Sequence, residues 1–333
     1  MYWLLLYPIL LLKKVVSGWL QRLFKYLSQY DTFRRKVIYP KLGIRYDQSI
    51  KRTLDRPILH AEIDGGKYHL PVFANQTRID DLRRSRLREN DVLVITYPKS
   101  GTHLCGYIVK LLAERRTTIM QDPMVLPFYE LIQQSKLDSV PATTQRILKT
   151  HLPLSLVPPC VDSTIQNKVI FCLRDPKDAC VSYYKFTLSL DVLTGPVYET
   201  FDDWVELWLL GFVDYGDWFD FVLPYWEQRH RDNFLFVTYE DILQEPETVI
   251  ENIAGFLGYT TTKEEVEDIK EKIKFSNMKQ MLEKTSKKPV TSLMREGKTG
   301  SSKTAFNERQ HFLFNRLFKE RMAGKGFDIY NFD

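Results

Sequence analysis

Three stretches of the chain repeat one pattern: an unbroken apolar run, a polar turn, then apolar residues at helical spacing. The first is Val92-Leu-Val-Ile95, followed by Thr96-Tyr-Pro-Lys-Ser-Gly-Thr102 and then by Leu104, Ile108, Leu111 and Leu112. The second is Lys168-Val-Ile-Phe-Cys-Leu173, followed by Arg174-Asp-Pro176 and a helical stretch from Asp178 to Phe186. The third is Asn233-Phe-Leu-Phe-Val-Thr238, followed by Tyr239-Glu-Asp241 and a helix through Leu257-Gly258. Apolar runs of this length, rich in β-branched residues, suit strands covered on both faces. Strands that each feed a helix predict a single α/β domain, with a mostly parallel sheet and helices on both faces. A shorter strand is expected from Arg146 to Thr150-His151, closed by Pro153.

Other segments fill in the frame. From Phe201 to Gln228 aromatic residues recur at helical spacing, which predicts core. A loop and a helix are expected over Pro123 to Leu137, a charged helix over Glu264 to Lys274 and a last helix over Asn307 to Met322. Arg78 to Arg88 mixes five arginines with acids and reads as a solvated helix face, with an anion site as the alternative. Residues 31–70 read as a connector with short strands.

The N-terminus stands apart. Met1 to Leu12 is almost wholly apolar, yet a transmembrane helix needs ~20 such residues. Val16, Trp19, Leu20, Leu23, Phe24 and Leu27 then line one face of a basic amphipathic helix. Residues 1–30 are therefore expected to be a membrane-interface anchor, through residues 1–27, or a helix that docks on its own domain, or a cleaved signal.

Composition narrows the partners. The chain has 333 residues, 44% hydrophobic and 27% charged, with a formal net charge of +5. That charge is modest and dispersed, which argues against nucleic acid and suits anionic small molecules or an acidic membrane surface. Cys105, Cys160, Cys172 and Cys180 show no C-x-x-C pairing, so a reduced, cytoplasmic compartment is expected. Asn75-Gln-Thr77 is a glycosylation sequon that matters only in a lumenal protein.

The turns carry the candidate chemistry. A strand that feeds a helix presents free amides and the positive end of the helix dipole. With Lys99, Ser100, Gly101 and Thr102 the first turn becomes an anion cradle, against the alternative of an ordinary strand–helix loop. It lacks the Gly-x-x-x-x-Gly-Lys-[Ser/Thr] spacing of a Walker A loop, which disfavours a P-loop kinase. Arg174 and Ser182 sit at a second such turn, where open α/β sheets bind ligands. Arg174 could instead pair with Asp175 or Asp178. Lys149 and His151 share a strand face, and a histidine at a strand end suits acid–base chemistry or a structural hydrogen bond. Lys284 to Lys303 alternates Gly and Ser with basic residues, as a linker or a lid over a polyanion.

In this order the segments resemble the cytosolic sulfotransferases over about residues 70–325. Thr96-Tyr-Pro-Lys-Ser-Gly-Thr102 resembles the family's 5′-phosphosulfate loop, and Lys149-Thr-His-Leu-Pro153 its catalytic strand. Arg174-Asp-Pro-Lys-Asp178 through Ser182 is similar to its 3′-phosphate motif, and Arg295-Glu-Gly-Lys-Thr-Gly300 to its C-terminal glycine segment. Gly211 to Trp218 and Tyr239-Glu-Asp241 match in order. The resemblance implies transfer of a sulfuryl group from 3′-phosphoadenylyl sulfate (PAPS) to a hydroxyl or amine of a small, mostly apolar acceptor, by a unit over 71–330. It further implies that Lys99, Ser100, Gly101 and Thr102 hold the 5′-phosphosulfate, with Lys99 on the leaving side. Lys149 would steady the sulfuryl oxygens and His151 would take the acceptor's proton. Arg174, Ser182, Arg295 and Gly297 would hold the 3′-phosphate, and Tyr239 would lie against adenosine. No metal is implied, because lysines can neutralise a group less charged than a γ-phosphoryl.

The chain departs from the family pattern in several places. Leu104 stands where a tryptophan usually stacks on adenine, Glu296 follows Arg295 in place of a basic residue, and Ile273-Lys274 replaces small hydroxyl residues. Ser301-Ser302 replaces Asp-Trp, and the family's short dimer motif is degraded in Lys303 to Phe312. These changes predict a nucleotide site built differently at its adenine end, and a monomer or a different dimer. The competing expectations are a dehydratase acting through a transient sulfate ester, and a non-catalytic member that binds a nucleotide or lipid.

Overall fold

The computed structural model describes residues 50–52, 59–85, 87–120, 126–157, 167–189, 200–285 and 297–332. Four parallel strands form its centre: β4 (Val92–Thr96), β5 (Ile147–Thr150), β6 (Lys168–Leu173) and β7 (Phe234–Thr238). Their order across the sheet is β5-β4-β6-β7. The chain leaves β4 to one side for β5 and returns on the other side for β6. This reversal puts the topological switch point between β4 and β6, whose carboxyl ends form the crevice where such sheets bind ligands. A separate antiparallel sheet holds β1 (Ile50–Arg52), β2 (Leu59–Ile63) and β3 (Tyr68–Pro71).

Every residue of β4 is buried, because both sheet faces are covered. Strand alternation sorts the side chains into two cores. Leu93, Ile95, Val169 and Phe171 face one core, with Trp204, Trp208, Trp218 and Phe219. Val92, Val94, Ile170 and Cys172 face the other, with Ile108, Leu112, Ile250 and Ile269. The first core is roofed by helices α4 (Pro176–Ser189), α5 (Phe201–Leu209), α6 (Trp218–Trp226) and α12 (Glu308–Met322). The second is roofed by α2 (Thr102–Glu114), α8 (Pro246–Leu257), α9 (Lys263–Ile273) and α10 (Phe275–Thr285). The remaining helices are α1 (Gln76–Arg84), α3 (Gln134–Asp138), α7 (Tyr239–Gln244) and α11 (Ser302–Ala305). The α/β architecture expected from the repeated strand–turn–helix pattern is thus present. The aromatic stretch after residue 200 is core, although Phe212 stays 40% exposed.

Local signals set the ends of helices. Thr262 and Glu265 cap α9 reciprocally, as Asn307 and Gln310 cap α12. Asn75 caps α1 by accepting from the Arg78 amide and is buried, so the sequon's asparagine is engaged in the fold. Arg78 itself corrects the solvated-face expectation. Its guanidinium reaches the carbonyls of Tyr129, Glu130 and Ile132 and fixes that irregular segment against α1. The same segment runs along β5, with the Tyr129 amide donating to the Lys149 carbonyl at 2.9 Å. Among the described residues no helix is long and apolar enough to cross a membrane. The N-terminal segment, Cys160 and Arg295 lie outside the described residues.

At the opposite end of the sheet from the crevice, Asp91 precedes β4 and Arg146 precedes β5. Both are buried, and the Arg146 Nε donates to Asp91 Oδ1 at 2.8 Å beside a second contact of the same pair. Removing one member of such a pair strands a buried charge, which costs about 3–5 kcal/mol. Arg146→Ala is therefore expected to lower stability to urea by that amount while the folded fraction keeps its nucleotide affinity. A change below about 1 kcal/mol would show that the pair does not hold the strands in place.

Candidate active site

The β4–α2 turn is built around two left-handed residues, Lys99 (φ 67°) and Gly101 (φ 93°). Lysine rarely adopts this conformation, so the turn carries local strain of the sort that clusters at functional sites. Gly101 is obligatory for a second reason: a Cβ there would meet Tyr239 Cδ2 at 2.8 Å. Gly101 also leaves α2 without a side-chain cap, so the first amides of the helix remain open to an anion. Ser100 Oγ is buried and has no hydrogen-bond partner among the described residues. Thr102 Oγ1 lies 2.6 Å from Thr96 Oγ1.

Arg174, at the end of β6, joins this turn to the C-terminal segment. One amino group donates to the Lys99 carbonyl at 2.9 Å, the other to the Lys298 carbonyl at 3.1 Å. Its guanidinium carbon stands 4.4 Å from the centre of the Tyr239 ring. Arg174 Nε, also buried, has no partner among the described residues. In place of the alternative pairing with Asp175 or Asp178, the guanidinium thus takes two backbone carbonyls. The Asp178 carboxylate accepts from the amides of Gly300 and Ser302 and from the Ser301 hydroxyl, and so anchors the C-terminal segment on α4. Gly297 lies so close to Phe275 that a Cβ would meet its ring at 2.6 Å.

These elements open on one cavity of about 240 Å³. Lys99, Gly101, Thr102, Arg174, Ser182, Tyr239 and Gly297 line it. Leu104, Ile273, Phe275 and Met278 add apolar surface to it. Pro71, Phe73, Phe128, Tyr215 and Thr187 line it too, with His151 against the Phe128 and Tyr215 rings. All the expected site residues that are described thus gather at one crevice, Lys149 just behind it on β5. Lys274 turns away and pairs with Glu271 at the surface.

The His151 ring is oriented by the backbone. Its Nδ1 lies 2.7 Å from the Thr96 carbonyl, and a carbonyl only accepts, so Nδ1 carries the proton. The lone pair is then on Nε2. Burial lowers the His151 pKa to about 4; the ammonium groups of Lys149 and Lys99 pull the same way, against the Thr96 hydrogen bond. The imidazole is therefore neutral at physiological pH. Lys149, with no exposed surface, stands 4.5 Å over the Phe128 ring and 3.5 Å from His103 Nδ1. Burial and then Lys149 hold the His103 pKa well down, so His103 accepts from the ammonium.

Sequence reasoning gave no role to four residues here. Glu130 accepts from the His151 amide at 3.0 Å and the Tyr215 hydroxyl at 3.3 Å, and burial raises its pKa. Phe128 packs on both Lys149 and His151. His103 braces Lys149. Asp214 also lines the cavity, its pKa pushed up to about 7 by burial. Glu130 and Phe128 sit in no motif, His103 directly follows the Thr96–Thr102 loop, and Asp214 lies within the Gly211 to Trp218 segment; proximity in the fold is what joins them around His151 and Lys149.

Comparison with known proteins agrees with this geometry. The sulfotransferase domain model matches residues 89–326. The chain belongs to the cytosolic sulfotransferase family. It is 31% identical over 287 residues to sulfotransferase 1C2 of Rattus norvegicus, which covers 81% of this chain and 95% of that relative. Its fold is similar to that of mouse sulfotransferase SULT7A1 complexed with PAP, with a TM-score of 0.69, 27% identity, and coverage of 77% of this chain and 93% of the other. A retinol dehydratase in complex with androsterone and inactive cofactor PAP is also similar, with a TM-score of 0.65, 25% identity, and coverage of 78% and 88%. The protein is a PAPS-dependent sulfotransferase. The orphaned Ser100 Oγ and Arg174 Nε and the uncapped α2 suit the anionic groups of that co-substrate.

Gly101→Ala places a methyl group against Tyr239 and forces alanine into the left-handed region. It is expected to weaken binding of adenosine 3′,5′-bisphosphate at least tenfold, a loss of about 1.4 kcal/mol, measured by calorimetry on protein whose circular dichroism is unchanged. Unaltered affinity would show that the close approach of Gly101 to Tyr239 is not needed.

Proposed function

We propose that this sulfotransferase moves the sulfuryl group of PAPS onto a hydroxyl or amine of a small, mostly apolar acceptor, with His151 as general base. The observation that carries the proposal is the His151 tautomer: Nδ1–H is committed to the Thr96 carbonyl, which leaves a basic Nε2 on a ring lining the cavity. PAPS supplies the activated sulfuryl group. Lys99 and the α2 amides hold its 5′-phosphosulfate end and offset charge on the leaving side. Lys149, braced by His103 and Phe128, stabilises the oxygens of the transferring group. Arg174 and Ser182 hold the 3′-phosphate with Gly297 and, by family likeness, Arg295. Tyr239 packs on adenosine, while Leu104, Ile273 and Phe275 together offer adenine the apolar surface that the missing tryptophan would have given. Such transfer depends on positioning and on fixed charges around the equatorial oxygens. Residues 71–330 form the transferase unit in this account, placed in the cytoplasm, with residues 1–27 as a peripheral membrane contact. Cys105, Cys172 and Cys180, all unbridged, support the reducing compartment.

A second possibility is elimination through a transient sulfate ester, supported by the likeness to a retinol dehydratase and by the apolar Pro71, Phe73 and Phe128 in the cavity lining. Radiolabelled PAPS with a panel of alcohols, phenols and amines separates the two, since transfer leaves label in the product and elimination yields an unlabelled alkene. His151→Ala is expected to slow turnover by ~10²–10⁴-fold while the nucleotide still raises the melting temperature. The base must be neutral to act, and its pKa is depressed to about 4. Activity should therefore stay nearly level from pH 7 to about 5.5 and fall only below that. Wild-type turnover in His151→Ala, or half-loss near pH 6.5, would remove His151 from this role.

A further inference from the structure

The antiparallel sheet carries a side-chain cluster that sulfuryl transfer does not use. His60 and Glu62 are two apart on β2, so both project from the same face. His69 on β3 sits directly opposite Glu62 in the register and therefore shares that face. One ligand atom from each of the three lies within 4.8 Å of the others, and His60 Nε2 is 3.8 Å from Glu62 Oε1. None of the three lines the cavity.

We propose that His60, Glu62 and His69 form a zinc site of two imidazoles and one carboxylate. Two observations beyond proximity point to a metal. His69 Nδ1 faces the Gly211 carbonyl at 3.4 Å, so Nδ1 carries the proton and Nε2 holds the lone pair. A ring N–H committed to a backbone carbonyl is the usual support of a metal-bound histidine. The site is also layered as a three-ligand metal site should be: His60 is 3% exposed, Glu62 36%, so a water can reach the fourth position from the Glu62 side. Ligand atoms around a tetrahedral zinc at ~2.0–2.1 Å stand about 3.3 Å apart. The half-exposed Glu62 can bring its oxygen nearer to His60 by rotating its side chain. The donor set, two nitrogens and one oxygen, suits Zn²⁺ over Mg²⁺ or Ca²⁺.

Zinc here would fasten the acceptor side of the cavity. The His69 carbonyl accepts from the Tyr215 amide at 2.7 Å, while its ring meets Gly211 and stacks on Phe212. The loop from Gly211 to Gly216, which this histidine holds together with Tyr97, Tyr183 and Glu130, supplies Asp214 and Tyr215 to the cavity. A metal that ties the His69 ring to β2 adds to the contacts that hold the loop.

Co²⁺ titration of the tag-free, chelator-treated full chain tests the site. One equivalent should bind with the intense visible absorption of a low-symmetry four-coordinate site, be displaced by Zn²⁺, and bind at least tenfold more weakly in both Glu62→Gln and His69→Ala. Zn²⁺ at a hundredfold excess over its Kd should raise the melting temperature by roughly 5 °C. His230→Ala, which alters an exposed histidine elsewhere, should bind as the wild type does. Absence of the absorption in the wild type, or equal binding in the Glu62 and His69 variants, would overturn the assignment. The wild-type spectrum decides even where a variant fails to fold.

Discussion

One guanidinium ties the active site together. Arg174 donates to the carbonyl of Lys99 on the β4 turn and to the carbonyl of Lys298 on the C-terminal segment, and it stacks on Tyr239 at the start of α7. Three parts of the chain far apart in sequence thus meet on one rigid, permanently charged plane. Lysine could not do this, because a point charge on a flexible stem neither forks nor stacks. The Lys99 carbonyl that Arg174 engages belongs to a residue held in the left-handed region, so the same contact helps to hold a strained turn.

The charge pattern around His151 follows from that frame. Lys99 and Lys149 both lie near a buried imidazole, and burial and the two ammoniums together keep it neutral. A neutral base among fixed cations suits a reaction in which an anionic group must be held while an acceptor proton is removed. Lys149 tolerates burial because His103 accepts from it and Phe128 offers its ring face. The cations are set in place by the sheet before any substrate arrives, so little reorganisation is left for the chemical step.

How much of this could be read from the residues alone depended on the range of the interaction. The strands at Val92, Lys168 and Phe234 declared themselves because apolar runs and turn residues are local signals. So did the cradle, since Lys99, Gly101 and the α2 N-terminus are neighbours in sequence. Partners that meet only through the fold gave no such sign. Glu130 reaches His151 from an irregular segment pinned by Arg78, an arginine whose setting among aspartates suggested a solvated face. Asp178 was legible as a helix residue but not as the anchor of Gly300 and Ser302, more than a hundred residues away. Leu104 and Ile273 were visible as departures at the adenine end; that Met278 lines the same cavity was not.

The central claim is that Arg174 at the switch point holds both the nucleotide and the segment that covers it. Calorimetric titration of Arg174→Gln with adenosine 3′,5′-bisphosphate tests it most directly. The account predicts affinity lower by about 10–100-fold, from the loss of charge-assisted hydrogen bonds worth roughly 1.5–3 kcal/mol. Affinity within about twofold of the wild type would contradict it.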